Sequence, residues 1–262
     1  MTGPLVVLGA GGRLGRLLAP AWPIETVQLG RRDLDILDSA ALVSALRGAG
    51  GVLCLAGVTP GSDRPMSLNT TLAQLVLDAA QAAQCGRVML MSSAAVYGRQ
   101  TGLLSEDTPP APLSDYGKAK LAMEQMAATH AHPNTVLRLG NVAGADAILG
   151  GWRPGFALDV LPDGTTPMRS YVGPHTLARI CTTLATTPAL PPLMNIAAPG
   201  ALEMGALLDA AGCEWSPRTA DGEVIAKVTL DTSRVSAFFQ WHPDDSTAKQ
   251  MVHEWKELTT TT

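Results

Sequence analysis

A strand that runs into a glycine-spaced turn and on into a helix leaves a chain few ways to fold. Residues 4–21, "PLVVLGAGGRLGRLLAPA", form such a run. Gly9, Gly12 and Gly15 stand three apart, with Gly11 between the first two. Their missing side chains let the backbone turn tightly and let the following helix lie close to the sheet. They also let a pyrophosphate approach the amides that open that helix. A glycine triplet alone is a weak signal; the apolar strand before it and the amphipathic helix after it supply the context. Gly9, Gly11, Gly12, Arg13, Leu14 and Gly15 are therefore candidate nucleotide-binding residues.

The rest of the chain repeats the pattern. Apolar runs bounded by glycine or proline, "ETVQLG", "GGVLCLAG", "RVMLMSSA", "NTVLRLGN" and "PLMNIAA", alternate with helix-like segments at 13–21, 39–48, 67–84, 115–131 and 175–186. Short, continuously apolar strands suit a parallel sheet covered on both faces. The expected class is α/β, a doubly wound, Rossmann-like parallel sheet with a small C-terminal substrate-binding cap. Residues 1–145 and about 171–198 are assigned to the dinucleotide-binding domain, and about 146–170 and 199–262 to the cap. Within the cap, helices are expected near 204–211 and 246–258, and a strand in "GEVIAKVTLD". With 46% hydrophobic and 16% charged residues the chain suits a globular enzyme.

The end of the second strand bears on the choice of nucleotide. An acidic residue there holds the adenosine ribose in NAD sites, whereas arginine accommodates the extra phosphate of NADP. Here Gly30 is followed by Arg31 and Arg32, and a guanidinium grips phosphate through paired, charge-assisted hydrogen bonds. NADP(H) is the preferred expectation and NAD(H) the alternative; the competing reading pairs the arginines with Asp33 or Asp35. A net charge of −4 without a basic stripe argues against nucleic acid, so a small-molecule substrate is expected. Cys54, Cys85, Cys181 and Cys213 have no metal-type spacing and read as reduced thiols. No metal site, leader segment or apolar run of membrane-spanning length is read, and the expected location is the cytoplasm.

In "SDYGKAKLAMEQM", Tyr116 and Lys120 share one helical face. On spacing alone the pair also fits a half-buried tyrosine beside a snorkelling lysine. The series "GAGGRLG", "DLDILD", "LAG", "MSSAAVYG", "YGKAK" and "LRLGNVAG" decides more, because several motifs occur in one order. It resembles the extended short-chain dehydrogenase/reductase family of NAD(P)-dependent epimerases, dehydratases and reductases. Weaker similarity continues through "MRSYVGPHTLARI" and "LDTSRVSAFFQWHP".

The resemblance implies a catalytic Ser93, Tyr116 and Lys120, with Tyr116 and Lys120 also touching the cofactor. It further implies Asp35 and Ile36 near the adenine, Leu55, Ala56 and Gly57 beneath the adenosine half, and Gly140 near the nicotinamide. Asn69, Ser93, Asn141 and Arg169 are the implied substrate contacts, although Asn69 also reads as a helix cap. Lys120 is expected to ease ionisation of the Tyr116 phenol, whose ordinary pKa is about 10. The leading expectation is an NADP-dependent oxidoreductase acting on a carbonyl/alcohol pair, sugar derivatives among them. The alternatives are a nucleotide-sugar epimerase or dehydratase that retains NAD, and a non-catalytic NADP sensor. Relatives also imply a homodimer through a four-helix bundle. Two departures stand out: only 27 residues separate Asn141 from Arg169 (169 − 141 − 1), and Gly173, Pro174, His175 and Thr176 replace the family's usual acidic ending. The first points to a smaller or more openly held substrate. His175 reads as structural rather than as a second acid or base.

Overall fold

Every apolar run singled out above becomes a strand of one parallel sheet in the computed structural model, which describes residues 3–222 and 224–260. In chain order the strands are β1 (Leu5–Leu8), β2 (Thr26–Leu29), β3 (Gly51–Cys54), β4 (Val88–Ser93), β5 (Leu103–Leu104), β6 (Asn134–Leu139) and β7 (Asn141–Val142). There follow β8 (Ala157–Val160), β9 (Met168–Arg169), β10 (Tyr171–Val172), β11 (Leu193–Ile196), β12 (Leu202–Glu203), β13 (Ser216–Thr219) and β14 (Lys227–Leu230). The helices are α1 (Arg13–Leu18), α2 (Ser39–Leu46), α3 (Leu68–Ala83), α4 (Asp115–Thr129), α5 (Pro174–Thr186), α6 (Met204–Ala211), α7 (Ser233–Ser236) and α8 (Ala248–Thr260).

The main sheet runs β11-β6-β4-β3-β1-β2, every pairing parallel. Side chains alternate across a strand, and the sequence obeys this on both faces. Leu5, Val7, Leu53, Met89, Met91, Leu137 and Leu139 pack with Leu18 of α1 and Leu177, Ile180 and Leu184 of α5. Val6, Leu8, Val52, Leu90 and Val136 pack with Leu42, Leu77, Ala80 and Met123 of α2, α3 and α4. Two buried faces leave the carboxyl ends of the strands as the open edge, where ligands of doubly wound sheets bind.

Helix ends differ from the sequence expectation where local chemistry intervenes. α1 stops at Leu18 rather than residue 21, because Pro20 cannot donate the next helical hydrogen bond. At the other end of the chain α8 starts at Ala248 rather than residue 246, after a 3₁₀ turn over Pro243–Ser246 that Asp245 caps. Of the expected strand "GEVIAKVTLD" only Lys227–Leu230 forms β14, and Glu223 lies outside the described residues.

The C-terminal segment builds a second core around Ile148, Leu149, Leu158, Tyr171, Leu207, Leu208 and Met251. Its four-stranded sheet, β12-β9-β14-β5, takes in Leu103–Leu104 from the loop between Ser93 and Tyr116. That loop thereby ties the cap to the open edge, a join that two residues of strand could not announce in the sequence. The segment Gly173–Thr176 also has a physical account. Glu254 of α8 accepts hydrogen bonds from the Thr176 amide (3.0 Å) and hydroxyl (2.8 Å), so a carboxylate from elsewhere in the chain caps α5. His175 Nε2 lies 3.6 Å from Glu257 and is one-third exposed, a surface contact between α5 and α8.

Candidate active site

The open edge begins at the glycine turn. Gly9 adopts φ +87°, and a Cβ there would stand 2.5 Å from the Ala56 amide nitrogen. Gly15 lies inside α1, where a Cβ would stand 2.5 Å from the Gly9 carbonyl oxygen. These two residues let β1, α1 and the end of β3 meet. Gly11 and Gly12 are exposed and have almost nothing within contact distance of a Cβ, apart from Gly30 Cα at 3.8 Å and the Gly9 oxygen at 3.3 Å. A cradle of bare backbone at the sheet's carboxyl edge fits a dinucleotide pyrophosphate. Arg13 opens α1 and reaches the Ala145 carbonyl at 3.4 Å, and Leu14 packs into the core beneath.

At the end of β2, Asp33 accepts from the Gly30 amide at 2.8 Å and Asp35 from the Leu37 amide at 3.0 Å. Both carboxylates turn back to local backbone. Arg31 and Arg32 are exposed, and no ion pair joins either of them to a described carboxylate. The competing reading of two ion-paired surface arginines is not what forms. Ile36 packs against the α2 side of the core, and Leu55 extends the pairing of β3 with β1 by donating to the Leu8 carbonyl.

Ser93 ends β4, and its Oγ accepts from the Ala95 amide at 3.2 Å. Tyr116 stands in the first turn of α4, which Ser114 caps by accepting from the Gly117 amide. Burial pushes the Tyr116 phenol above its ordinary pKa, while the neighbouring Ser93 hydroxyl pulls it down. Lys120 is buried, with Nζ 5.8 Å from the Tyr116 ring centroid, and it donates to the Met91 carbonyl at 2.8 Å. The expected lowering of the phenol by Lys120 is not met: burial raises it, the opposing pull comes from Ser93, and the ammonium is turned to a backbone oxygen. Gly57 is the floor of this corner, since a Cβ there would stand 3.3 Å from Lys120 Nζ.

Burial also lowers Lys120 to about 8, with Cys54 and Glu124 opposing. Between pH 8 and 10.5 the unfolded chain holds this proton and the folded chain releases it, so stability from this group rises with pH across that window. Below pH 8 the cost of burying the charge is carried in full, about 3 kcal/mol for such a shift. Lys120→Met removes the titration. The stability of the variant relative to wild type is expected to fall by a comparable amount from pH 7 to pH 10, read from urea midpoints. A pH-independent difference would contradict the buried ammonium.

Asn69 is spoken for: its amide accepts from the Val58 amide at 3.1 Å and donates to the Val58 and Met66 carbonyls at 3.0 Å. It pins the loop after β3 and caps nothing, since the helix cap position belongs to Ser67, whose side chain makes no cap hydrogen bond. Gly140 and Asn141 face Ser170, whose carbonyl accepts from the Asn141 amide at 2.9 Å. A Cβ on Gly140 would stand 2.7 Å from that oxygen. The adjoining residue, Arg169, lines a cavity of about 390 Å³ with Phe156, Leu158, Met204 and Arg218. Its guanidinium is partly desolvated, which lowers its pKa, and it donates to the Met168 carbonyl at 2.8 Å. Arg218, in contrast, is paired with Asp159 at 2.7 Å.

Glu124 and Arg138 were not singled out by motif, yet both are buried, meet at Ser92 beside Ser93, and form an ion pair at 2.7 Å. Their signal was present: "TVLRLG" carries an arginine inside an apolar run, and Glu124 continues the Tyr116, Lys120 face by one more turn.

Comparison with known proteins bears on the whole site. A UDP-glucose 4-epimerase of Azospirillum brasilense is 33% identical over 121 residues, 44% of this chain and 30% of that protein, so the match spans less than a third of the relative. The UDP-glucuronic acid 4-epimerase of Bacillus cereus, solved with UDP-glucuronic acid and NAD, superposes with a TM-score of 0.76 at 20% identity, covering 99% of this chain and all of that one. TunA, an NAD-dependent NDP-hexosamine 5,6-dehydratase of tunicamycin biosynthesis, gives 0.77 at 17% identity over 99% and 98% of the chains. Identities this low carry the fold. The family assignment rests on the sequence model, which matches residues 5–154 from the glycine turn through Ser93, Tyr116 and Lys120 to the start of the cap. This chain belongs to the NAD dependent epimerase/dehydratase family.

Proposed function

We propose that the protein oxidises a hydroxyl of a nucleotide-activated sugar with a retained nicotinamide dinucleotide, as an epimerase or dehydratase does. The carrying observation is Tyr116, flanked by Ser93 and Lys120 at the edge of the sheet that carries the glycine cradle. Support for the nucleotide-sugar class comes from Arg169, a half-buried guanidinium with no carboxylate partner among the described residues, on the wall of the cap cavity. Such a group suits a diphosphate. The relatives named above act on UDP- and NDP-sugars.

Gly9, Gly11, Gly12 and Gly15 would hold the pyrophosphate, and Lys120 with Gly140 the nicotinamide half. When bound, the nicotinamide supplies a hydride acceptor and donor. The protein's own residues handle the proton. Tyr116 Oη takes it from the sugar hydroxyl on oxidation and returns it on reduction, and Ser93 Oγ donates a hydrogen bond to the same substrate oxygen. Lys120, charged below its pKa of about 8, offsets negative charge developing on the phenol.

A second reading is favoured by Arg31 and Arg32, exposed and without a carboxylate partner among the described residues, which suit a 2′-phosphate: an NADPH-dependent reductase of a carbonyl compound. One experiment separates the two. Freshly purified protein is denatured and its released nicotinamide identified. Emptied protein is then titrated with NADPH and NADH, and intact protein incubated with UDP- and dTDP-hexoses. Retained NAD, with sugar conversion that consumes no added nicotinamide, is the expected outcome. An empty site that prefers NADPH and turns over only while consuming it would replace the first reading with the second.

A further inference from the structure

Ser92 and Arg138 are cross-strand partners on β4 and β6, and both bind one carboxylate on the neighbouring helix. Ser92 Oγ donates to Glu124 Oε1 at 2.5 Å. Arg138 Nε donates to both carboxylate oxygens at 3.1 Å, and Nη2 to Oε2 at 2.7 Å. None of the three is more than 7% exposed. Arg138 is held from its far side as well, its guanidinium 4.8 Å from the Tyr97 ring centroid, and the Tyr97 hydroxyl donates to Asn195 at 2.7 Å.

A buried ion pair gains little stability over apolar residues of the same volume, and its best-attested use is to fix register. Register is what matters here. Tyr116, Lys120 and Glu124 are successive positions of one face of α4, and Ser92 adjoins Ser93. The clamp therefore fixes the rotation and height of that face against the strand end that carries Ser93. Next to Tyr116, Gly117 packs so closely on Ala95, in the 3₁₀ turn after β4, that a Cβ would stand 2.6 Å from its carbonyl oxygen. The helix is held at two points, at Gly117 next to Tyr116 and at Glu124 one turn beyond Lys120.

We propose that Glu124 and Arg138, with Ser92, are positioning residues that hold the Tyr116 phenol against the Ser93 hydroxyl. The idea rests on the reading of Tyr116 as the acid–base group, but it is tested on the phenol itself, so a wrong substrate does not bear on it. The charged and titratable groups around this corner are Lys120 and Glu124 on α4, Cys54 at the end of β3, Arg138 on β6 and Tyr97 against the Arg138 guanidinium. Removing Glu124 and Arg138 together leaves the net charge unchanged, and Ser92→Ala changes no charge at all.

The chain has three tyrosines, so ¹³C at tyrosine Cζ gives three resonances, and Tyr116→Phe assigns the one that matters. In Glu124→Leu/Arg138→Met the phenol drifts from Ser93 and loses the hydrogen bond that favours ionisation. Its phenolate-to-phenol ratio at pH 10 is expected to fall about tenfold, with the thermal midpoint at or above that of wild type. Ser92→Ala is expected to move the ratio the same way by less. An unchanged or higher ratio in the folded double variant overturns the proposal. Should that variant not fold, an unchanged or higher ratio in Ser92→Ala overturns it instead. Full turnover by Tyr116→Phe would count against the acid–base reading alone and leave these resonances to decide the clamp.

Discussion

Tyr116→Phe is expected to lose turnover by about 10²–10⁴-fold, the range typical of a positioned acid–base group, while still binding its dinucleotide. The substitution deletes one oxygen. The ring, the α4 helix cap at Ser114 and the Lys120 hydrogen bond to Met91 remain in place. Stability should shift by about 1 kcal/mol or less, the typical net worth of one hydrogen bond such as that with the Ser93 hydroxyl. Neither Ser93 nor Lys120 can substitute. Ser93 Oγ already accepts from the Ala95 amide, and Lys120 Nζ is turned toward a backbone carbonyl. The measurement is single-turnover conversion of a nucleotide sugar beside a dinucleotide titration and a thermal melt. Wild-type turnover by Tyr116→Phe would remove the acid–base role, whereas joint loss of turnover, binding and Tm would assign Tyr116 to the fold.

The main sheet was legible because its signal is local and doubly constrained. Each strand is a short apolar run, and odd and even positions of Leu5–Leu8 serve opposite cores, as a strand covered on both faces requires. Tyr116 and Lys120 were legible because four residues of helix put them on one face whatever the rest of the chain does. Three things were not readable. The bonds by which Asn69 holds Val58 and Met66 are one, since a loop's need for hydrogen bonds appears only once the loop is built. The cap on α5 comes from Glu254, 78 residues beyond Thr176, and no window of sequence joins them. The direction of the Tyr116 shift depends on burial, which composition and spacing do not report.

The glycines that drew attention first divide into two kinds, and substitution should separate them. Gly9→Ala must place a Cβ 2.5 Å from one backbone atom and 2.8 Å from two more, in the chain that runs from Leu55 to Ala56. It must also hold alanine at φ +87°. Neither demand can be met by rotating a side chain. The left-handed conformation costs about 1–2 kcal/mol and overpacking about 1–3, a large share of the 5–15 kcal/mol that holds a typical domain together. Gly15→Ala meets the same obstacle at the Gly9 carbonyl without the torsional part. Gly11→Ala is the contrast. Its Cβ would find no protein atom nearer than 3.8 Å, and its φ is not positive. Stability should stay within about 0.5 kcal/mol of wild type, while dinucleotide affinity falls tenfold or more, about 1.4 kcal/mol, because the new methyl group stands where bare backbone meets the ligand. Urea melts and dinucleotide titrations of the three variants decide the matter. If Gly11→Ala binds as wild type does, the exposed part of the turn is not the cradle, and the glycine spacing serves only the packing of α1 against β1 and β3.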